Sequence, residues 1–377
     1  MKTEIKTERK ILPYMALIIT LVLITPSIRS SWFMWGNRWL YILLSSFFLS
    51  YGLTYLVRGW AIRIGALDYP NQRKIHQKPT PLLGGIAIYL GFMGAVLANS
   101  IFTREVVGII IGISLLVFIG IIDDLRGIKS WLKISAQVVA VSVVIILGVT
   151  VKVFPSSILG NLGNIILTYL WIMGITNAFN FFDGMDGLAA GLGIITAFFL
   201  SVLALQTSQP FLGWLCVAII GGCLGFLPYN FRLRKPASIF LGDSGGAFLG
   251  FGLSSLAIMG EWADNNPIVS LTAPVLIFWV FIFDMTYITI SRIANGKVAN
   301  LKEWVEHVDK DHLHHRLALV LNNGKLTVSI IFLITICLGL SATALRYART
   351  IDALLLILQA VIIVALVSIL QRKAAHR

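Results

Sequence analysis

In this chain of 377 residues 57% are hydrophobic and 12% charged, and mean hydropathy is +0.86. A soluble domain carries about a quarter charged residues, so that class is excluded. The formal charge of +13 would suit a nucleic-acid binder, but in so oily a chain it has a plainer source. Membrane proteins keep Lys and Arg on their cytoplasmic side, and no nucleic-acid partner is expected. Cys216, Cys223 and Cys337 all lie in apolar runs with no CxxC pair, so they read as packing residues rather than redox or zinc ligands.

In chain order, runs apolar and long enough to cross a bilayer fall at 11–25, 38–57, 82–102, 106–122, 131–151, 162–180, 187–206, 211–229, 244–260, 267–289, 326–345 and 351–370. The bilayer forces backbone polar groups to pair within each segment. The expected fold is therefore all-α, a polytopic transmembrane helix bundle of about 11–12 spans. The first run follows Lys2, Lys6, Arg9 and Lys10 as a signal peptide would, but no small-residue cleavage site follows it. A retained helix is expected.

With the N-terminus inside, 24 of the 30 Lys and Arg residues fall on inner segments, as the positive-inside rule requires. Asp68, Asp123, Asp124, Asp183, Asp186, Asp243, Glu303, Glu306, Asp309 and Asp311 fall on the same side, against Glu105, Glu261, Asp264 and Asp352 outside. Five inner loops should thus converge on an active site at the cytoplasmic face.

The first loop, "DYPNQRKIHQKPTPLLGG" (68–85), gathers Arg73, Lys74, His76 and Lys78 before Gly84 and Gly85 open the next helix. Bare N–H groups there can meet an anion, though a basic patch on anionic lipid explains the cations equally well. The second, "IIDDLRGIKSWLK" (121–133), sets Asp123 beside Asp124 at a membrane boundary. Like charges there need a cation or a shared proton, and Lys133 is near enough in sequence to reach an acid or a phosphate.

The third, "NAFNFFDGMDG" (177–187), spaces Asn180, Asp183 and Asp186 i, i+3, i+6. On a helix they would share one broad face, while Gly184 and Gly187 would permit a turn. Such oxygen ligands suit Mg²⁺, and the EF-hand spacing is absent. The fourth, "LPYNFRLRKPASIFLGDSGG" (227–246), runs from Asn230 through Arg232, Arg234 and Lys235 to Asp243 in a glycine-rich helix start. That resembles a phosphate-plus-metal cradle but is no Walker A loop. The fifth carries "DKDHLHHRL" (309–317), with His312 and His315 at i, i+3 and His314 and Arg316 beside them. Phosphate contact is at least as good a reading as metal binding.

Together, in this order over about 38–345, these motifs resemble the polyprenyl-phosphate N-acetylhexosamine-1-phosphate transferases (glycosyltransferase family 4). The HxHHR form resembles the branch that starts O-antigen and wall teichoic acid synthesis (WecA and TagO) more than the peptidoglycan translocase (MraY). The resemblance implies that polyprenyl phosphate attacks the β-phosphate of a UDP-sugar, UDP-GlcNAc rather than UDP-MurNAc-pentapeptide, releasing UMP with Mg²⁺ or Mn²⁺. It implies Asn180 and Asp243 as metal ligands and Asp186 as a uracil contact. Asp123 and Asp124 would activate the lipid phosphate or support the metal. Asp183 belongs to the catalytic set without an assigned role, and the HLHHR stretch would steady diphosphate charge. Arg73, Lys74, His76, Lys133 and Asn230 complete the expected substrate contacts. Partners would be the UDP-sugar, polyprenyl phosphate and membrane lipid, with a homodimer left open.

On this reading residues 1–37 are an extension with an extra transmembrane helix, 38–345 the transferase core, and 346–377 a last helix with a basic tail. One departure stands in the tenth span, where "FIFDMT" (281–286) replaces the Pro-Leu-x-Asp-Thr common in relatives and keeps only Asp284. Two rivals fit less well. An ion-coupled transporter would hold its acids near the midplane between repeated halves, and no repeat is visible. A CDP-alcohol phosphotransferase would show DGxxAR, but no Arg follows Asp183–Gly184 in "MDGLAAG".

Overall fold

The computed structural model describes residues 11–70, 78–232, 234–263, 266–296, 298 and 311–375. These form fifteen helices and one two-residue hairpin. In chain order the helices are α1 (Ile11–Ile24), α2 (Pro26–Met34), α3 (Arg38–Ile64), α4 (Gly84–Asn99), α5 (Arg104–Arg126), α6 (Ser130–Ile146), α7 (Ile158–Phe182), α8 (Leu188–Gln206), α9 (Pro210–Asn230), α10 (Gly242–Met259), α11 (Pro267–Ile277), α12 (Trp279–Ala294), α13 (Leu313–Leu321), α14 (Gly324–Thr343) and α15 (Thr350–Ala375).

Every apolar run of the sequence corresponds to one helix or to a bent pair. Among the described residues seven helices are long and apolar enough to cross a membrane, nine spans if each bent pair counts as one. The shorter apolar α4 and α6 and the 18-residue α10 account for the other three runs. This is a polytopic all-α integral membrane protein.

One run expected as a single straight span is broken, and the chain turns sharply after another. The run at 11–25 forms α1 as expected, and beyond it the chain bends by 71° into α2. Pro26 starts α2, and the residue before a proline is pushed out of helical geometry, as Thr25 is at φ −58°, ψ 134°. The run at 267–289 bends by 79° between α11 and α12, at Phe278. Pro274 lies in the last turn of α11 and has no N–H to give. The chain therefore breaks here although the 281–286 segment holds no proline.

At the centre lies α10, fifteen of whose eighteen residues are buried. Its small residues let α4, α5 and α7 close around it, the usual way helices pack without a hydrophobic driving force. By contrast α15 exposes Leu354, Leu355, Leu358, Ile362 and Leu366 along its length, the face expected of a rim helix against lipid. The hairpin pairs Leu67 with Pro81 and Asp68 with Thr80. The Phe240 N–H donates to Pro81 O, and Gly84 and Gly85 donate to Phe240 O and Leu241 O. Backbone bonds thus tie the first inner loop to the fourth at the end of the bundle where α5 and α7 finish and α10 begins.

Candidate active site

A cavity of about 880 Å³ opens at that end. It is lined by Asp123, Asp124, Lys133, Asn180, Asp183, Asp186, Asn230, Asp243 and His315, so the structure brings together the expected residues of four loops, with Asp68 and Thr80 from the first. Arg73, Lys74 and His76 lie outside the described residues. His312, His314 and Arg316 stand behind the wall rather than in it.

The site is organised around the first turn of α10, whose N–H groups have no intrahelical partner. Asp124, reaching across from α5, accepts from the Asp243 N–H at 2.8 Å and the Ser244 hydroxyl at 3.0 Å. Asp183 accepts from the Gly242 N–H at 3.0 Å. Two acids therefore cap one helix start, a placement its dipole favours. Gly242 makes this possible: its φ is +77°, and a Cβ there would stand 2.6 Å from an Asp124 oxygen. The caps present Asp243, whose Oδ2 lies 2.8 Å from Lys133 Nζ. The same ammonium pairs with Asp123, which also accepts from the Ile128 N–H at 2.7 Å. One cation thus offsets two of four crowded carboxylates. Burial raises the Asp183 carboxyl well above its usual value; the charges of Asp243, Asp124 and Asp186 add to that and the Gly242 bond opposes it.

The expectation of one helical face for Asn180, Asp183 and Asp186 is corrected. Helix α7 ends at Phe182, Asp183 is its C-cap, and a turn over 183–187 carries Asp186 away. The glycines at 184 and 187 win over helical continuation. Asp186 Oδ2 accepts from the Ala237 N–H at 2.8 Å. Asn230, expected to touch substrate, commits both ends of its amide to backbone: Oδ1 accepts from Gly187 N at 2.7 Å and Nδ2 donates to Ile239 O at 3.0 Å. It fastens the turn to the fourth loop.

His312 and His315 do not share a face either. His312 is the N-cap of α13, bonded through Nδ1 to Asp284 at 2.8 Å, while His315 reaches the cavity. His314 is fully buried, and burial foremost, then its histidine neighbours, pushes its imidazole well below the usual value. Sequence reasoning missed Asn323, Gly324 and Lys325, which line the cavity from the start of α14. The only signal was an N-cap asparagine before a glycine and a lysine in "NNGK".

A hard divalent cation fits these residues. Asn180 Oδ1 is buried with no hydrogen-bond partner, packed where a Cβ on Gly246 would clash with it. Asp243 stands in the same cavity. Among the described residues no three His, Cys, Asp or Glu side chains form a ready metal cage. A cation here would be held by these two protein oxygens, from Asn180 and Asp243, and completed by water and substrate phosphates.

Fold and site define an integral membrane protein with an acidic cavity where several of its helices end or begin. Residues 106–261 match the model of Glycosyl transferase family 4. A probable undecaprenyl-phosphate N-acetylglucosaminyl 1-phosphate transferase of Bacillus subtilis (strain 168) is 37% identical over 302 residues, 78% of this chain and 82% of the relative. A decaprenyl-phosphate N-acetylglucosaminephosphotransferase of Mycolicibacterium smegmatis is 33% identical over 74% of this chain and 76% of its own. An undecaprenyl-phosphate alpha-N-acetylglucosaminyl 1-phosphate transferase of Escherichia coli (strain K12) is 27% identical, with 80% and 81% covered. The chain belongs to glycosyl transferase family 4, in its polyprenyl-phosphate sugar-1-phosphate transferase group.

Proposed function

We propose that this protein transfers GlcNAc-1-phosphate from UDP-GlcNAc to undecaprenyl or a similar polyprenyl phosphate, releasing UMP, at the cytoplasmic face of the plasma membrane. The observation that carries the reading is the convergence of Asp123, Asp124, Asp183 and Asp243 with Lys133 and His315 in one cavity at the mouth of a helix bundle. The names of the relatives supply the sugar and the lipid. The product starts a lipid-linked surface glycan. Residues 38–345 are the core on this reading, with 1–37 and 346–377 added to it.

Phosphoryl transfer asks the protein for positioning and charge neutralisation more than covalent chemistry. The acceptor phosphate has a second pKa near 6, by analogy with phosphoserine, and needs little help from a base. Its oxygen forms the new P–O bond to the sugar phosphate, and the bond to the UMP oxygen breaks in line. Asn180 and Asp243 would hold Mg²⁺ or Mn²⁺, which supplies neutralisation of the diphosphate charge. Asp124 and Asp183 keep Asp243 in register. Lys133 can trade an aspartate for a phosphate as substrate enters, and His315 and Lys325 line the same cavity. Asp186, in the turn fastened by Asn230, faces the nucleotide.

A transporter is disfavoured because the acids gather at the helix ends rather than the midplane. The test is to incubate purified protein with polyprenyl phosphate, Mg²⁺ and radiolabelled UDP-GlcNAc. Labelled lipid and UMP are expected. A folded sample that makes neither with any UDP-N-acetylhexosamine refutes the proposal.

A further inference from the structure

The strongest feature outside the cavity wall is a carboxylate that neither the fold nor the proposed chemistry has used. Asp284 sits less than two turns beyond the 79° break, on α12, with its side chain wholly buried. Its Oδ2 bonds His312 Nδ1 at 2.8 Å, and its Oδ1 accepts from the Leu313 N–H at 2.7 Å. One side chain therefore takes up the N-cap ring and the first backbone N–H of α13. Two more ties run between the same pair of segments. Arg292 donates twice to Asp311 at 2.8 Å, and Arg316 lies with its guanidinium 4.0 Å from the Tyr287 ring centre and its Nη2 3.9 Å from Asp284 Oδ1. Of these, the Asp284–His312 pair is the most enclosed.

What it holds in place touches the acidic turn directly. The His312 ring stacks on Phe181 at 4.7 Å, one residue from Asn180. His314 packs against Phe182 at 5.5 Å, and a Cβ on Gly184 would come within 2.6 Å of its Nε2. His315, 4.1 Å from His314, continues into the cavity. A slip of α13 would therefore move both His315 and the turn that bears Asp183. A buried carboxylate accepting from Nδ1 also fixes one imidazole tautomer and one ring orientation.

We propose that Asp284 is a positioning residue, acting through His312 to lock α13 so that His315 faces the cavity and the turn over 183–187 is buttressed. Its kinetic arm rests on the proposed transferase activity; its structural arm does not. In Asp284→Asn the remaining oxygen still accepts from Leu313, but the NH2 can meet Nδ1 only by donating, which reverses the ring's tautomer and removes the carboxylate's charge, so the hold on ring and helix weakens. A displacement on the order of 1 Å at such a site costs about 100-fold, so kcat should fall at least about tenfold. The KM for UDP-GlcNAc should move less than about threefold, because the residue touches no substrate.

The experiment is a double-mutant cycle of Asp284→Asn and His312→Phe, read by UMP release and by amide hydrogen exchange over 313–321. The double variant should be no worse than about twofold below the weaker single, and exchange in α13 should quicken in Asp284→Asn. Wild-type kcat with unchanged α13 exchange overturns the proposal, as do losses that multiply. If Asp284→Asn fails to fold, His312→Phe, which keeps a ring against Phe181 but gives Asp284 no donor, decides: reduced kcat supports the lock, wild-type kcat overturns it. If the wild-type chain turns over no UDP-sugar, the transferase reading falls. The exchange comparison then judges the lock alone, with quicker exchange supporting it and unchanged exchange overturning it.

Discussion

Removing Asp124 is the most informative perturbation of the site, because a base and a brace answer it differently. Asp124→Ala deletes the acceptor for the Asp243 N–H and the Ser244 hydroxyl. Loss of a helix N-cap costs about 0.5–2 kcal/mol, and a hydrogen bond to a charged group contributes about 1.5–3 kcal/mol. These overlap rather than add, which makes about 2 kcal/mol a fair local figure. At about 1.4 kcal/mol per factor of ten, the register of Asp243 loosens by roughly 30-fold. If Asp124 serves by holding Asp243, kcat for UMP release falls by about that factor. The KM for UDP-GlcNAc stays within about threefold. The shape of the pH–rate profile stays as it was. The assay is steady-state UMP release from pH 6 to about 9. Unchanged kcat refutes the brace, and loss of one limb of the profile shows that Asp124 exchanges the proton itself.

Other outcomes follow from the same geometry. Lys133→Met leaves Asp123 and Asp243 without their shared ammonium; kcat should drop at least about tenfold, and raising Mg²⁺ should recover part of it in a titration. Asn230→Ala strands the Gly187 N–H and the Ile239 carbonyl, at about 1–3 kcal/mol for a buried unmade bond; the thermal transition should fall and the KM for UDP-GlcNAc rise. Burial alone would raise the Asp311 carboxyl, but the bonds from Arg292 outweigh it and hold it below the usual carboxylate range. Its contribution is therefore present above the unfolded value near 3.9 and lost as pH falls through the lower folded one. Asp311→Asn should melt earlier than wild type by the same margin from pH 7 down to about 5 and by a shrinking margin below about 4, as followed by differential scanning fluorimetry.

The long apolar helices and the gathering of acids at one end were legible because hydropathy and charge placement are one-dimensional signals, whereas the short α2 and α13 were not foreseen. The bends at Thr25 and Phe278 were not, since an apolar run carries no direction across a break. Within the site, identities were legible and divisions of labour were not. Asn180, Asp183 and Asp186 read as a helical face until the chain turned after Phe182. Asp124 and Asp183 read as reactive acids, yet both spend oxygens on the start of α10, which lies more than fifty residues further along the chain. The three histidines looked alike in sequence. Only the fold separates His315 in the cavity from His312 on Asp284 and from the enclosed His314. Lys325 carried only the helix-start signal of "NNGK", and its place in the cavity was visible only once α14 was placed.

The central claim is that Asp243, presented by its two caps, sits where a UDP-sugar's diphosphate is cleaved. The direct measurement is labelled-lipid formation from radiolabelled UDP-GlcNAc and polyprenyl phosphate by purified wild type and by Asp243→Asn, each shown folded and each with and without Mg²⁺. The account predicts labelled lipid and UMP from wild type with Mg²⁺, and neither from Asp243→Asn at any Mg²⁺ concentration. Product from Asp243→Asn at the wild-type rate would contradict it.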